Sequence, residues 1–273
     1  MTKGRKWRIA AVVVASIGAG LWIVWLAIRP PLIDVHERRV EARLRGSGTP
    51  TVVFELGASG GGFMYWRVQN AVAKHTRTVV YERAGLSRSS FGEEPRSAEV
   101  IARELHDLLE VTGQPPPYVL VGHSYGGLLV RVFAHLYPTE TSGLVLVDPA
   151  TEGMYAYLQK STPTEWADAA TALKEGFRRQ WRDMPIALAQ AEAAWPLPAV
   201  PTTLLTAQRP LGRWPLNGQE DMKVWESEHH LLAKRIPGAR RVLMVDSDHI
   251  SILLKDQLAE EILKVVNESR SGG

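Results

Sequence analysis

Three side chains in this sequence have the types and the chain order that nucleophilic catalysis needs: Ser124, Asp148 and His249. Ser124 is the middle of Gly122-His-Ser-Tyr-Gly126, where a run of β-formers gives way to apolar residues at helical spacing. A strand that turns sharply into a helix strains the residue at the bend. Small flanking residues let strand and helix approach while the hydroxyl projects from the turn. A serine hydroxyl is a poor nucleophile, so it needs a base within hydrogen-bond reach, and that base needs a third group to fix its tautomer and stabilise its cation. His249, in the loop Asp246-Ser-Asp-His-Ile after the last apolar run, is the expected base. His123 is expected to point away from the bend, and His229 and His230 read as helix surface. For the acid, Asp148 closes the run Leu144-Val-Leu-Val, where a carboxylate could reach the imidazole, although Asp-Pro is also a common turn starter. Glu220 or Asp221, and the local Asp246 or Asp248, are the alternatives.

The elements that must position these groups alternate. Val35 to Gly46 reads as a two-stranded antiparallel edge, and Thr51-Val-Val-Phe-Glu-Leu as a strand covered on both faces. That strand feeds Gly57-Ala-Ser-Gly-Gly-Gly62, which lacks Gly-x-Gly-x-x-Gly and Gly-Lys-Ser/Thr, so nucleotide binding is not indicated. Such a loop can instead offer a bare backbone N–H to a developing oxyanion. A strand at Thr76–Glu82 follows, then a helix capped by Ser97 and stopped at Gly113. The sheet resumes at Pro201 to Ala207, a helix runs from Asp221 to Ile236, and the last strand spans Arg240 to Val245. Asp256 to Val266 reads as the closing helix, with Glu268 to Gly273 a frayed tail. Strands alternating with helices argue for an α/β fold, a mostly parallel central sheet with helices on both faces, whose sites gather at the carboxyl ends of strands.

Residues 151–199 break this rhythm. They are helix-prone and rich in aromatics, among them Tyr155, Trp166, Phe177 and Trp181. They predict a helical cap whose aromatics either roof a pocket or pack the cap onto the body.

With no cysteine, the chain has no disulfide, no thiolate metal ligand and no cysteine nucleophile. No cluster of His, Asp and Glu has ligand spacing, so neither metal nor cofactor is expected. The net charge of +3 owes much to Lys3, Arg5, Lys6 and Arg8, and no nucleic-acid partner is inferred. Residues 9–28 carry no charge and, at about 20 residues, match the hydrocarbon thickness of a bilayer. With Trp22 and Trp25 near the far end and the basic residues before it, this run predicts a transmembrane anchor, a cytoplasmic N-terminus and an extracytoplasmic domain. A cleaved signal peptide, releasing a secreted domain, is the alternative.

The Gly57 loop through Trp66, Tyr81-Glu-Arg-Ala-Gly, Val121-Gly-His-Ser-Tyr-Gly-Gly, Leu144-Val-Leu-Val-Asp-Pro-Ala and the His249 loop together resemble the α/β-hydrolase fold superfamily over roughly residues 48 to 267. The resemblance implies Ser124 as nucleophile, His249 as base, an acid after either of two strands, and an oxyanion hole from the N–H groups of Tyr125 and Ala58. Haloalkane dehalogenases of this superfamily place their acid after the strand that ends at Asp148, but their nucleophile is Asp, so Ser124 argues against dehalogenase chemistry. Three positions depart from the usual pattern: Glu82 where Asp is common, Ser87 where Gly is common, and Leu56 where many members carry His.

The organisation expected is a basic N-terminus (1–8), an anchor (9–28), a linker with edge strands (29–47), a hydrolase core (48–150 and 200–273) and the cap (151–199). The function implied is a membrane-anchored serine hydrolase acting on a small carboxylic ester or an acyl lipid. An acyltransferase or cofactor-free perhydrolase on the same triad, or a non-catalytic binding module of the same fold, are the alternatives. The sequence carries no signal for oligomeric state.

Overall fold

A computed structural model describes residues 29–172, 174–212 and 216–271. The strands are β1 (Leu32–Val35), β2 (Arg38–Arg45), β3 (Thr51–Glu55), β4 (Thr78–Tyr81), β5 (Tyr118–His123), β6 (Thr141–Val147), β7 (Thr202–Ala207) and β8 (Arg240–Met244). The helices are α1 (Trp66–Val72), α2 (Ala98–Val111), α3 (Tyr125–Leu136), α4 (Glu152–Ser161), α5 (Pro163–Ala172), α6 (Glu175–Arg182), α7 (Met184–Ala193), α8 (Gln219–Arg235) and α9 (Asp256–Ser271).

The strands form one sheet in the order β1-β2-β4-β3-β5-β6-β7-β8. The β1–β2 and β2–β4 pairs are antiparallel and every pair from β4 to β8 is parallel. The period-2 alternation of the central strands divides their side chains between two cores. Val53, Val79, Leu120, Leu144 and Leu204 pack with Leu105 and Leu108 of α2 and Phe133 of α3. Val52, Phe54, Val119, Val121, Val145 and Leu205 pack on the other side with Val68 and Val72 of α1 and Ile262 and Val265 of α9. Covering both faces explains why β3, β4, β5 and β7 are buried along their whole length and read as continuous apolar runs.

From β3 the chain passes to β4 on one side, then returns to β5 on the other. The switch point of the sheet therefore lies between β3 and β5, where crevices open at the carboxyl ends of strands. The Gly57 loop and Ser124 follow those two strands.

Helix α2 begins as its sequence predicts: the Ser97 side chain accepts from Val100 N–H at 3.3 Å, and Gly113 just past the helix has φ +61°. Helix α9 runs longer than expected, to Ser271. Arg270 donates to the carbonyls of Thr49 (2.8 Å) and His75 (3.0 Å), which ties down the segment read as frayed. In α4 to α7, Tyr155, Phe177, Trp181 and Met184 join a cluster with Tyr125, Leu128 and Leu129, so these aromatics do pack onto the body. Tyr155, Trp166 and Trp181 also line a cavity of about 430 Å³.

One expectation is corrected. Among the described residues no helix is long and apolar enough to cross a membrane. The 17-residue α8 carries charges at both ends, from Glu220 and Asp221 to Lys234 and Arg235. Residues 9–28, on which the anchor was read, lie outside the described residues. Among the described residues the fold class is thus the α/β sheet and its helices with no membrane-spanning helix, and the membrane partner and extracytoplasmic placement that depended on such a helix find no support there.

Candidate active site

Ser124 follows β5 with φ +53° and ψ −123°, a backbone conformation that costs a non-glycine residue free energy. The surroundings hold it there. Ser124 N–H donates to Val147 O at 3.1 Å, while its carbonyl accepts from Gly127 and Ala150, each at 2.9 Å. The two elbow glycines are required by proximity: a Cβ on Gly122 would meet Gly126 O at 2.5 Å, and one on Gly126 would meet Glu55 O at 2.2 Å. Helix α3 can therefore start directly against β3 and β5. Tyr125 is its first residue, so the Tyr125 N–H belongs to the donors that have no partner within the helix.

His249 lies beside this turn, with Nε2 2.9 Å from Ser124 Oγ and Nδ1 2.7 Å from Asp148 Oδ2. An ionised carboxylate only accepts, so Nδ1 carries the proton and the Nε2 lone pair faces the hydroxyl. Asp148, fully buried at the end of β6 with φ +45°, takes three donors: His249 on Oδ2, and Ala207 N–H (2.8 Å) and Trp225 Nε1–H (2.9 Å) on Oδ1. Burial pushes this carboxyl up. The bond and charge from His249, the proximity of His229 and the bond from Trp225 outweigh it, and the group titrates below its ordinary value.

The other candidate acids lie elsewhere. Glu220 pairs with Lys223 at 2.6 Å, and Asp221 accepts from Tyr157 Oη and from Asn217 N–H at the start of α8. Asp246 pairs with Arg209 at the surface. Asp248 accepts from the amides of Ile250 (2.8 Å) and Ser251 (2.9 Å), framing the turn that carries His249.

Two histidines behave differently from their sequence reading. His229 is buried, not on the helix surface. Its Nε2 donates to Pro149 O at 2.8 Å, its Nδ1 lies 3.0 Å from Thr206 Oγ1, and burial lowers its pKa so that the ring stays neutral. The signal was present in the stripe Trp225, His229, Leu232 and Ile236, spaced as one face of a helix. His123 does not turn away from the site. Its Nε2 donates to His249 O at 2.8 Å, its ring lies 4.7 Å from the His249 ring, and burial pushes its pKa down to about 3.

The Gly57 loop rests against this group: a Cβ on Gly57 would be 3.6 Å from Ser124 Cβ and 3.2 Å from His123 Nδ1. Ala58, the other expected oxyanion donor, is in this loop. Its far half is held by Glu82, which accepts from Gly61 N–H (3.1 Å) and Gly62 N–H (2.6 Å). Glu82 thus fills its atypical place as an anchor for two amides. Ser87 adopts φ +48°, the conformation glycine takes easily, and donates to Glu41 Oε2 at 2.8 Å.

A family model described as alpha/beta hydrolase fold matches residues 50–213. The chain belongs to the alpha/beta hydrolase fold family. Among solved structures of this fold, the enol-lactonase from Burkholderia xenovorans LB400 is 19% identical at a TM-score of 0.59, over 87% of this chain and all of the other. A thermophilic esterase from Thermogutta terrifontis is 18% identical at 0.58, over 89% and 98%. A curated relative, "Probable transporter efuK" of Hormonema carpetanum, is 34% identical over 50% of this chain and 20% of its own length. The chain spans half or less of the length of the first curated relatives it matches. As an alpha/beta hydrolase, it carries a hydroxyl, an imidazole and a buried carboxylate in hydrogen-bonded series at the sheet's switch point. That series can move one proton off Ser124 and return it to a leaving group.

Proposed function

We propose that this alpha/beta hydrolase is a serine hydrolase that cleaves a carboxylic ester or acyl-lipid bond through an acyl-enzyme. Ser124 Oγ attacks the carbonyl carbon while His249 Nε2 takes its proton. The carbonyl oxygen becomes an oxyanion that accepts from the Tyr125 and Ala58 N–H groups, with the N-terminus of α3 adding its dipole. Collapse expels the alkoxide, which leaves as the alcohol with the proton from His249. The acyl group stays on Ser124 until water attacks it, His249 again taking and returning the proton, and the free acid departs. Asp148 holds the His249 tautomer and balances its charge.

The observation that carries this reading is the unbroken run from Asp148 through His249 to Ser124, at 2.7 and 2.9 Å. That an enol-lactonase and an esterase stand among the solved neighbours is consistent with it. The test is hydrolysis of a p-nitrophenyl ester series by wild type, Ser124→Ala and His249→Ala. Each substitution should lower kcat by at least about 10⁴-fold with circular dichroism unchanged. Turnover retained in Ser124→Ala would refute the assignment.

A further inference from the structure

Arg83 is fully buried, yet none of the steps above uses it. Its Nη1 donates to Leu56 O and to Glu55 Oε1, both at 2.6 Å, and its Nη2 to Gly57 O (2.7 Å) and Ala58 O (3.2 Å). One planar guanidinium therefore gathers three successive carbonyls of the loop that carries Ala58. A trans peptide points its C=O and N–H in opposite directions, so turning the Gly57 carbonyl onto Arg83 turns the Ala58 N–H away from it. Burial opposes the charge on Arg83, but the charge and hydrogen bond of Glu55 together with Tyr81 and Tyr125 outweigh it, and the guanidinium stays protonated.

The remaining donor of Arg83 leads elsewhere. Its Nε donates to Gln180 Oε1 at 2.7 Å, and Gln180 stands on α6, among the helices between β6 and β7. Gln180 in turn donates to Gly176 O at 3.1 Å. Gly176 lies directly on the chain next to Arg83, since a Cβ there would come 1.9 Å from Gly85 O. Helix α6 is thus seated on the Arg83–Gly85 segment twice, by a backbone contact that only glycine permits and by a glutamine that orients the guanidinium.

We propose that Arg83 is the positioning residue of the oxyanion hole, and that Gln180 acts through it, so that the Ala58 amide is aligned only while α6 is docked. Docking of the helical segment would then switch on catalysis as well as shape the pocket. The inference rests on Ser124 acting as the acyl-transfer nucleophile.

The experiment compares full-length wild type, Gln180→Ala, Arg83→Lys and Ser124→Ala on a p-nitrophenyl ester. Affinity for a trifluoromethyl ketone is measured in parallel, because its hemiketal oxygen occupies the oxyanion hole whereas ground-state substrate does not. Gln180→Ala leaves the Glu55–Arg83 pair intact, so it tests the coupling even if Arg83→Lys fails to fold. In Gln180→Ala, kcat should fall roughly tenfold to hundredfold with KM within about twofold, and ketone affinity should fall by the same factor. A merely structural role would lower the melting temperature without this matched loss. Unchanged kcat in Gln180→Ala, or lowered kcat with unchanged ketone affinity, would overturn the proposal. Turnover retained in Ser124→Ala would instead show that the nucleophile assignment had failed.

Discussion

Trp225 Nε1 donates to Asp148 Oδ1 at 2.9 Å while His249 Nδ1 binds the other oxygen of the same carboxylate at 2.7 Å. The indole thus fixes the carboxylate that fixes the imidazole, and an aromatic residue on α8 becomes part of the support for Ser124 far away in sequence. Trp225→Phe keeps most of the packing and removes the donor. A hydrogen bond to a charged group contributes about 1.5–3 kcal/mol, so we expect kcat about tenfold lower and a stability loss of that order, read from ester kinetics and urea unfolding. Unchanged values of both would mean that Asp148 is held by Ala207 and His249 alone.

The same substitution should move acid unfolding. Asp148 titrates below its ordinary value in the fold, so its stabilisation is present above the unfolded pKa and is lost as pH falls through the folded one. Removing the Trp225 donor raises the folded pKa. The interval between the unfolded and folded pKa then narrows, so the fall of melting temperature on acidification should be smaller in Trp225→Phe than in wild type.

His123 gives a second handle of the same sign, at higher pH. Its folded pKa of about 3 lies below the ordinary histidine value, so the unfolded chain binds a proton that the native state refuses. Stability from this group is complete above the unfolded pKa and falls as pH drops from about 6.5 towards 3, by about 2 kcal/mol at pH 5. His123→Asn, which keeps an N–H donor for His249 O, should lose less stability between pH 7 and pH 5 than wild type by that amount. Equal losses in urea unfolding would show that His123 is protonated in the native state.

What the sequence made legible followed local pattern. Ser124 stands in a strand-turn-helix signature, and Asp148 and His249 each end or follow an apolar strand, so their approximate places could be read from runs a few residues long. His123, Trp225, His229 and Arg83 escaped because their roles depend on contacts between distant segments, such as Trp225 with Asp148 and Arg83 with Gln180. His229 was the avoidable miss, since its helical stripe is apolar on both sides. The eight-stranded order was not legible either, because alternating β and α segments say little about which strands become neighbours. The N-terminal apolar run was read from length and flanking charge alone, and no membrane-spanning helix appears among the described residues.

Backbone strain at the turn gives a further expectation. Ser124 holds φ +53° and ψ −123°, which glycine adopts without a Cβ penalty. Ser124→Gly should gain roughly 1–3 kcal/mol in unfolding free energy while abolishing turnover. A destabilised variant would mean that the turn is not strained. Gly126→Ala should do the reverse, because its Cβ would overlap Glu55 O at 2.2 Å and push α3 away from β3. We expect it to lose several kcal/mol, or not to accumulate as folded protein.

The most direct test of the central claim, that His249 activates Ser124 as a nucleophile, is covalent labelling with a fluorophosphonate and identification of the modified peptide by mass spectrometry. The account expects a single phosphonyl adduct on Ser124 in wild type, none in Ser124→Ala, and labelling slowed by several orders of magnitude in folded His249→Ala. A folded wild-type protein that stays unlabelled, or one labelled at Ser124 equally fast without His249, would contradict it.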